Sequence, residues 1–177
     1  MNAVETLTAR HRESAAQEVH QDLPIMPSLR TMIIGCVDPR VDPVFVLGLK
    51  PGEAAVFRNV GGRITPGAVR EMAMLQEVVR AHGARPGGRF DLIVLHHTDC
   101  GITSLEGQPE TLARYFGVDE ASVPSKAVGD PNAAVAVDVA LLRSNPRLPR
   151  DWVVSGLVYD VHTGQVEVVV PPAPHAS

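Results

Sequence analysis

Apolar residues gather into short unbroken runs along the chain, and amphipathic stretches with helical spacing separate them. Met32-Ile33-Ile34 and Leu92-Ile93-Val94-Leu95 are continuous rather than alternating, the pattern of parallel strands covered on both faces. The first run leads to Cys36, and the second sits in a strand predicted from Phe90 to His96. Ala54 to Arg58 and Trp152 to Tyr159 read as further strands, whereas Gln165 to Val170 alternates like an edge strand. Pro171-Pro172 predicts the end of that strand and the start of a tail.

Between the runs the spacing becomes helical. Asp42-Pro43, Thr65-Pro66 and Asp130-Pro131 each place a capping oxygen before a proline at the first helical position. They predict a short helix carrying Val44, Phe45, Leu47 and Leu49, and a longer one with Val69, Met72, Leu75, Val78 and Val79 on its core face, ending at His82-Gly83. A third, Asn132 to Arg143, is apolar nearly all round and is therefore expected to be buried. Arg85 to Arg89 reads as a turn, and Gly107 to Pro124 as a short helix around Glu110 to Phe116 plus loop. Ala3 to Gln21 has good helix formers but only a weak apolar face, so it is expected to pack late or on another subunit.

This alternation predicts the α/β class: a single domain with a mostly parallel central sheet of four strands flanked by helices, one edge strand and an N-terminal helical arm. The expected boundaries are 1–29 for the arm, 30–172 for the domain and 173–177 for the tail. At 177 residues one core is the default. A net charge of -4 argues against a nucleic-acid partner, which would need clustered Lys and Arg. No apolar run approaches the roughly 20 residues of a membrane span, and the first thirty residues do not read as a secretory signal. No membrane partner is expected, the location is expected to be cytoplasmic, and the two cysteines, Cys36 and Cys100, should stay reduced.

Candidate chemistry gathers where two buried strands stop. The first ends in Cys36-Val37-Asp38-Pro39-Arg40, the other in His96-His97-Thr98-Asp99-Cys100. Neighbouring parallel strands end at one rim, where open α/β sheets bind ligands, so two thiolates and an imidazole can converge. That Cys2His set is one of those used by catalytic zinc, which keeps a fourth position for water. Asp38 could fill that position or stand beside it, and Arg40 can pair with it bidentately and hold it off the metal. Either His96 or His97 could serve by spacing alone, but successive strand residues face opposite ways, so only one should face the metal.

Cys36-x-Asp38-x-Arg40 followed by His97-x-x-Cys100-Gly101 resembles the paired motifs of the β-class carbonic anhydrases, the short bacterial type in particular. Val56-Phe57-Arg58-Asn59-Val60-Gly61-Gly62 and Tyr159-Asp160-Val161-His162-Thr163-Gly164 extend the likeness over roughly Thr31 to Val170. The resemblance implies Zn2+ held by Cys36, His97 and Cys100, with His97 picked over His96. It implies reversible hydration of CO2 to bicarbonate by zinc-activated water, with Asp38 and Arg40 as the catalytic pair. Asp38 would become a fourth ligand only in a closed state. It further implies a homodimer or a multiple of dimers, with the N-terminal helix reaching over the partner. The same ligand set would serve hydrolysis of carbon disulfide or carbonyl sulfide, and a homologue with Asp38 permanently on the metal would be non-catalytic.

The remaining polar residues receive ordinary readings. Asp99 is expected to cap local backbone amides in a turn, and His96 to pack or hydrogen-bond. His11, His20, His82, His162 and His175 are expected to be solvated. Asn59, Gly61 and Gly62 lack the spacing of a dinucleotide fingerprint and are expected to let backbone pass close to the site.

Overall fold

The unbroken apolar run at the start of the domain forms β1 (Thr31–Cys36), which is buried along its whole length. The computed structural model describes residues 2–15, 22–83 and 88–174. In it β1 lies inside a five-stranded sheet of order β2-β1-β3-β4-β5. β2 (Ala54–Asn59), β3 (Phe90–His97) and β4 (Trp152–Tyr159) run parallel to it, and β5 (Val166–Pro174) is an antiparallel edge. The chain passes from β1 to β2 on one side and then to β3 on the other, so the topological switch point lies between β1 and β3. Gly35 pairs with Leu95 there, which brings Cys36 and His97 to one rim.

The α-helices among the described residues are α1 (Ala3–Ala15), α2 (Pro43–Val46), α3 (Pro66–Ala81), α4 (Pro109–Phe116) and α5 (Pro131–Arg143). The three cap-plus-proline signals hold: Asp42 accepts from the Val44 amide, Thr65 from Ala68, and Asp130 from both Asn132 and Ala133. Residues 16–21 of the expected first helix, 85–87 of the expected turn, and His20 and His175 lie outside the described residues. No helix among the described residues is long and apolar enough to cross a membrane.

Three expectations need correction. α5 is not buried all round: Ala134, Val135, Val139 and Leu142 face inward while Leu141 is exposed, and the carboxylate of Asp138 lies on the buried face. α3 buries Ala68 and Met72, but Leu75 and Val78 further along its predicted core face are 39% and 37% exposed. They border an open apolar cavity of about 150 Å³ shared with Ile25, Met26, Phe90 and Trp152. β5 continues through Pro171 and Pro172 to Pro174 instead of stopping at Val170. An edge strand tolerates proline because one side of its ladder is unpaired, and the register shifts between Val154 and Leu157 absorb the mismatch.

The core has two parts. Met32, Ile34, Leu92, Val94 and Val154 pack with Met72 of α3 and with Val135 and Val139 of α5. The second part joins Cys36, Val41, Cys100 and Ile102 to Leu112 and Phe116 of α4 and to Val123. The segment least legible in sequence thus forms a wall behind the strand ends. α1 has no buried residue, and its Val4 and Leu7 are exposed.

Candidate metal centre

Cys36 ends β1, His97 ends β3, and Cys100 follows one tight turn later. All three are buried, and their ligand atoms lie within 4.8 Å of one another, with the two sulfurs 3.8 Å apart. The Nδ1 of His97 sits 2.8 Å from the Thr98 carbonyl, an acceptor only, so Nδ1 carries the proton and Nε2 the lone pair. That Nε2 is buried with no hydrogen-bond partner among the described residues. A metal-binding histidine is held in this way, with its outer nitrogen tied to an acceptor. The loop itself is fixed to β4, since the Thr98 amide donates to the Tyr159 carbonyl at 3.0 Å and the Val161 amide to Thr98 Oγ1 at 3.1 Å.

The two sulfurs lie within hydrogen-bond distance of each other. Their mutual hydrogen bond draws Cys36 well below the usual thiol range and pushes Cys100 above it. A divalent cation among them removes that conflict by stabilising both thiolates. Two soft sulfurs and an imidazole suit zinc, so the donor set fits the metal that the sequence implies.

Asp38 stands beside this cluster, its amide donating to Cys36 Sγ at 3.4 Å and its carboxylate engaged by Arg40. Its carboxylate accepts Arg40 Nε at 3.0 Å on one oxygen and Nη2 at 2.7 Å on the other, and the Arg40 amide at 2.9 Å. Those bonds, the side-chain one above all, pull the Asp38 carboxyl down to about 2. Among the described residues the donor cluster comprises Cys36, His97 and Cys100, with Asp38 committed to Arg40.

Several supporting contacts were not among the sequence expectations. Arg58, at the end of β2, donates to the Cys36 carbonyl, the Asp38 carbonyl and the Asp42 carboxylate, each at 2.7 Å. It braces the turn that carries the thiol and the acid. Asn59 closes the next turn by bonding both the amide and the carbonyl of Arg63, and Tyr115 of α4 donates to the Val60 carbonyl at 2.7 Å. Gly62 lies where backbone passes close: at φ 65°, a Cβ there would be 2.9 Å from the Cys36 nitrogen. Gly62 therefore has the expected role, whereas Gly61 lies against the side chains of Ile102 and Arg63.

Removing the Arg58 brace should loosen the site without emptying it. Arg58→Met is expected to weaken zinc binding about 10- to 100-fold, the usual effect of losing a group that orients a ligand. Competition with a chromophoric chelator measures this, and unchanged affinity would show that the brace is dispensable.

His96 points to the opposite side from His97, with Nε2 3.3 Å from Asp138 Oδ2 but out of line for a hydrogen bond. Asp138 instead accepts Arg63 Nε at 2.7 Å and the Ile64 amide at 3.1 Å, in an ion pair almost wholly removed from solvent. Asp99 does not cap local amides as expected. Its carboxylate accepts Arg40 Nη1 at 2.8 Å. His11 and His162 are exposed, and His82, also exposed, lies 2.9 Å from the Val78 carbonyl at the end of α3.

A cavity of about 50 Å³ opens beside the trio, lined by Gly61, His97, Cys100 and Ile102 among others. It is far smaller than the several hundred Å³ of a drug-sized pocket and suits a molecule of a few atoms. Cys36, His97 and Cys100 together form a possible metal site, with Asp38 bonded to Arg40 beside it.

The sequence model of the carbonic anhydrase family matches residues 31–166. β-Carbonic anhydrase 1 of Mycobacterium tuberculosis is 34% identical over 156 residues, 84% of this chain and 87% of that one. The chain therefore belongs to the β-carbonic anhydrase family. The crystal structure of a carbonic anhydrase from Streptococcus mutans superposes with a TM-score of 0.73 at 30% identity, covering 96% of this chain and 98% of the other. A carbon disulfide hydrolase of Acidianus is 27% identical over 161 residues, 76% of this chain and 74% of that one.

Proposed function

We propose that Cys36, His97 and Cys100 hold zinc and that the protein interconverts CO2 with bicarbonate and a proton, Asp38 and Arg40 serving as the catalytic pair. One observation carries this: the trio is preformed while the Asp38 carboxylate, the natural fourth ligand, is turned onto Arg40. Held by that trio, zinc would supply a nucleophile at neutral pH by lowering the pKa of a water to roughly 7. The chain's own residues do the rest. His97 is fixed by the Thr98 carbonyl, Arg58 holds the turn, and Asp38 stays ionised across the neutral range as a hydrogen-bond acceptor at the rim. In a closed state Asp38 would leave Arg40 for the metal. The small cavity limits access to molecules of CO2 size.

Carbon disulfide and carbonyl sulfide have the same linear shape, and relatives named carbon disulfide hydrolases support keeping them as alternative substrates. Presenting CO2, carbonyl sulfide and carbon disulfide to the zinc-loaded protein in parallel assays separates the readings. CO2 turnover dominates on the account proposed; turnover of the sulfur gases alone would replace it.

The reading includes a homodimer or a multiple of dimers, with residues 1–29 as an arm and the zinc-binding unit from residue 30 onward. Support comes from the uncovered α1, from the exposed second half of α3, and from Val37, Phe45, Val56 and Val60, which are also exposed. A single-chain mass by light scattering would remove this part. A cytoplasmic location agrees with two free thiols.

A further inference from the structure

Asp99 occupies a backbone conformation that needs a reason. Its φ is 54°, in the left-handed region where few residues other than glycine, asparagine and aspartate persist. The conformation places two acceptors on Arg40. The Asp99 carbonyl takes Nη2 at 2.9 Å and its carboxylate takes Nη1 at 2.8 Å. Asp38 takes Nε and Nη2 on the other edge, so every guanidinium nitrogen is engaged. A guanidinium is planar and rigid, and fixing one edge fixes the direction of the other.

We propose that Asp99 is a positioning residue: by holding the outer edge of Arg40 it keeps the inner edge locked on Asp38, and so keeps the Asp38 carboxylate away from Cys36, His97 and Cys100. The inference rests on the zinc reading of that trio and names what decides where Asp38 points. A turn-capping role is disfavoured, because the carboxylate reaches a partner 59 positions away in sequence. Both side chains of the Arg40–Asp99 bridge are about half exposed, 49% and 59%, so solvent screens it and the expected effect is about two- to fivefold.

The test loads native protein, Asp99→Asn, Arg40→Gln and the double variant with Co2+ and compares their visible absorption, with Asp38→Asn defining the spectrum free of that carboxylate. Asparagine tolerates the same left-handed backbone, so the Asp99→Asn protein should fold, which its melting temperature checks. Asp99→Asn is expected to raise the share of Asp38-coordinated cobalt about two- to fivefold, in the direction Arg40→Gln moves it. On the Arg40→Gln background it should add nothing, whereas a merely structural role would act independently in both backgrounds. An unchanged spectrum, an additive effect, or a shift the other way, as expected if Asp99 competes with Asp38 for Arg40, would overturn the proposal. If zinc-loaded native protein fails to hydrate CO2, the catalytic reading fails, yet the cobalt spectra still decide the role of Asp99.

Discussion

Cys100→Ser is expected to abolish CO2 hydration, by about 100-fold or more, and to lower zinc retention through dialysis. The buried sulfur of Cys100 lies 3.8 Å from that of Cys36, and a serine hydroxyl at the same place keeps its proton near neutrality and is a poor donor to zinc. The change is nearly isosteric, so folding should survive. Metal analysis after dialysis and hydration measured on the same sample separate lost metal from lost chemistry. Full occupancy with undiminished turnover would remove Cys100 from the site.

Asp138→Asn should be the most damaging change to stability, costing about 3–5 kcal/mol. The carboxylate is fully buried, and without its charge the Arg63 guanidinium, 2% exposed, is left beside neutral partners: the Lys126 carbonyl and the face of Phe116, 4.9 Å from the ring centre. Replacing both partners with apolar residues, Arg63→Met with Asp138→Leu, should cost less than Asp138→Asn alone, because no uncompensated charge is then buried. Burial pushes Asp138 up, but His96 and Arg63 outweigh it and leave its pKa below the ordinary value. Its stabilisation is therefore complete above a pH of about 4, the unfolded carboxylate value, and is lost as the pH falls through the lowered folded value. Urea unfolding followed across pH measures both effects. A single variant as stable as the native chain, or a double variant less stable than the single, would contradict this account of the pair.

Local signals in the sequence carried the fold and the strand-end cluster of donors, while the family resemblance chose His97 over His96. Unbroken apolar runs identified the central strands, capping residues before prolines started three helices, and the chemistry at the two strand ends identified the rim. Long-range pairings were not legible. Arg58, Asp99 and Asp138 meet their partners 20, 59 and 75 positions away, and no periodicity records such meetings. Spacing marked a core face for α3 that holds only in its first half, since Leu75 and Val78 are exposed. In α5 the abundance of alanine and valine masked a one-sided helix whose carboxylate points inward.

The most direct test is stopped-flow CO2 hydration by the zinc-loaded protein from about pH 6.5 to about 9, beside metal-free protein. The account predicts activity that rises with pH, with Asp38 remaining on Arg40, and none without metal. Full zinc occupancy with no hydration at any pH would contradict it, and would leave a zinc protein with Asp38 as the permanent fourth ligand or one that acts on the sulfur gases.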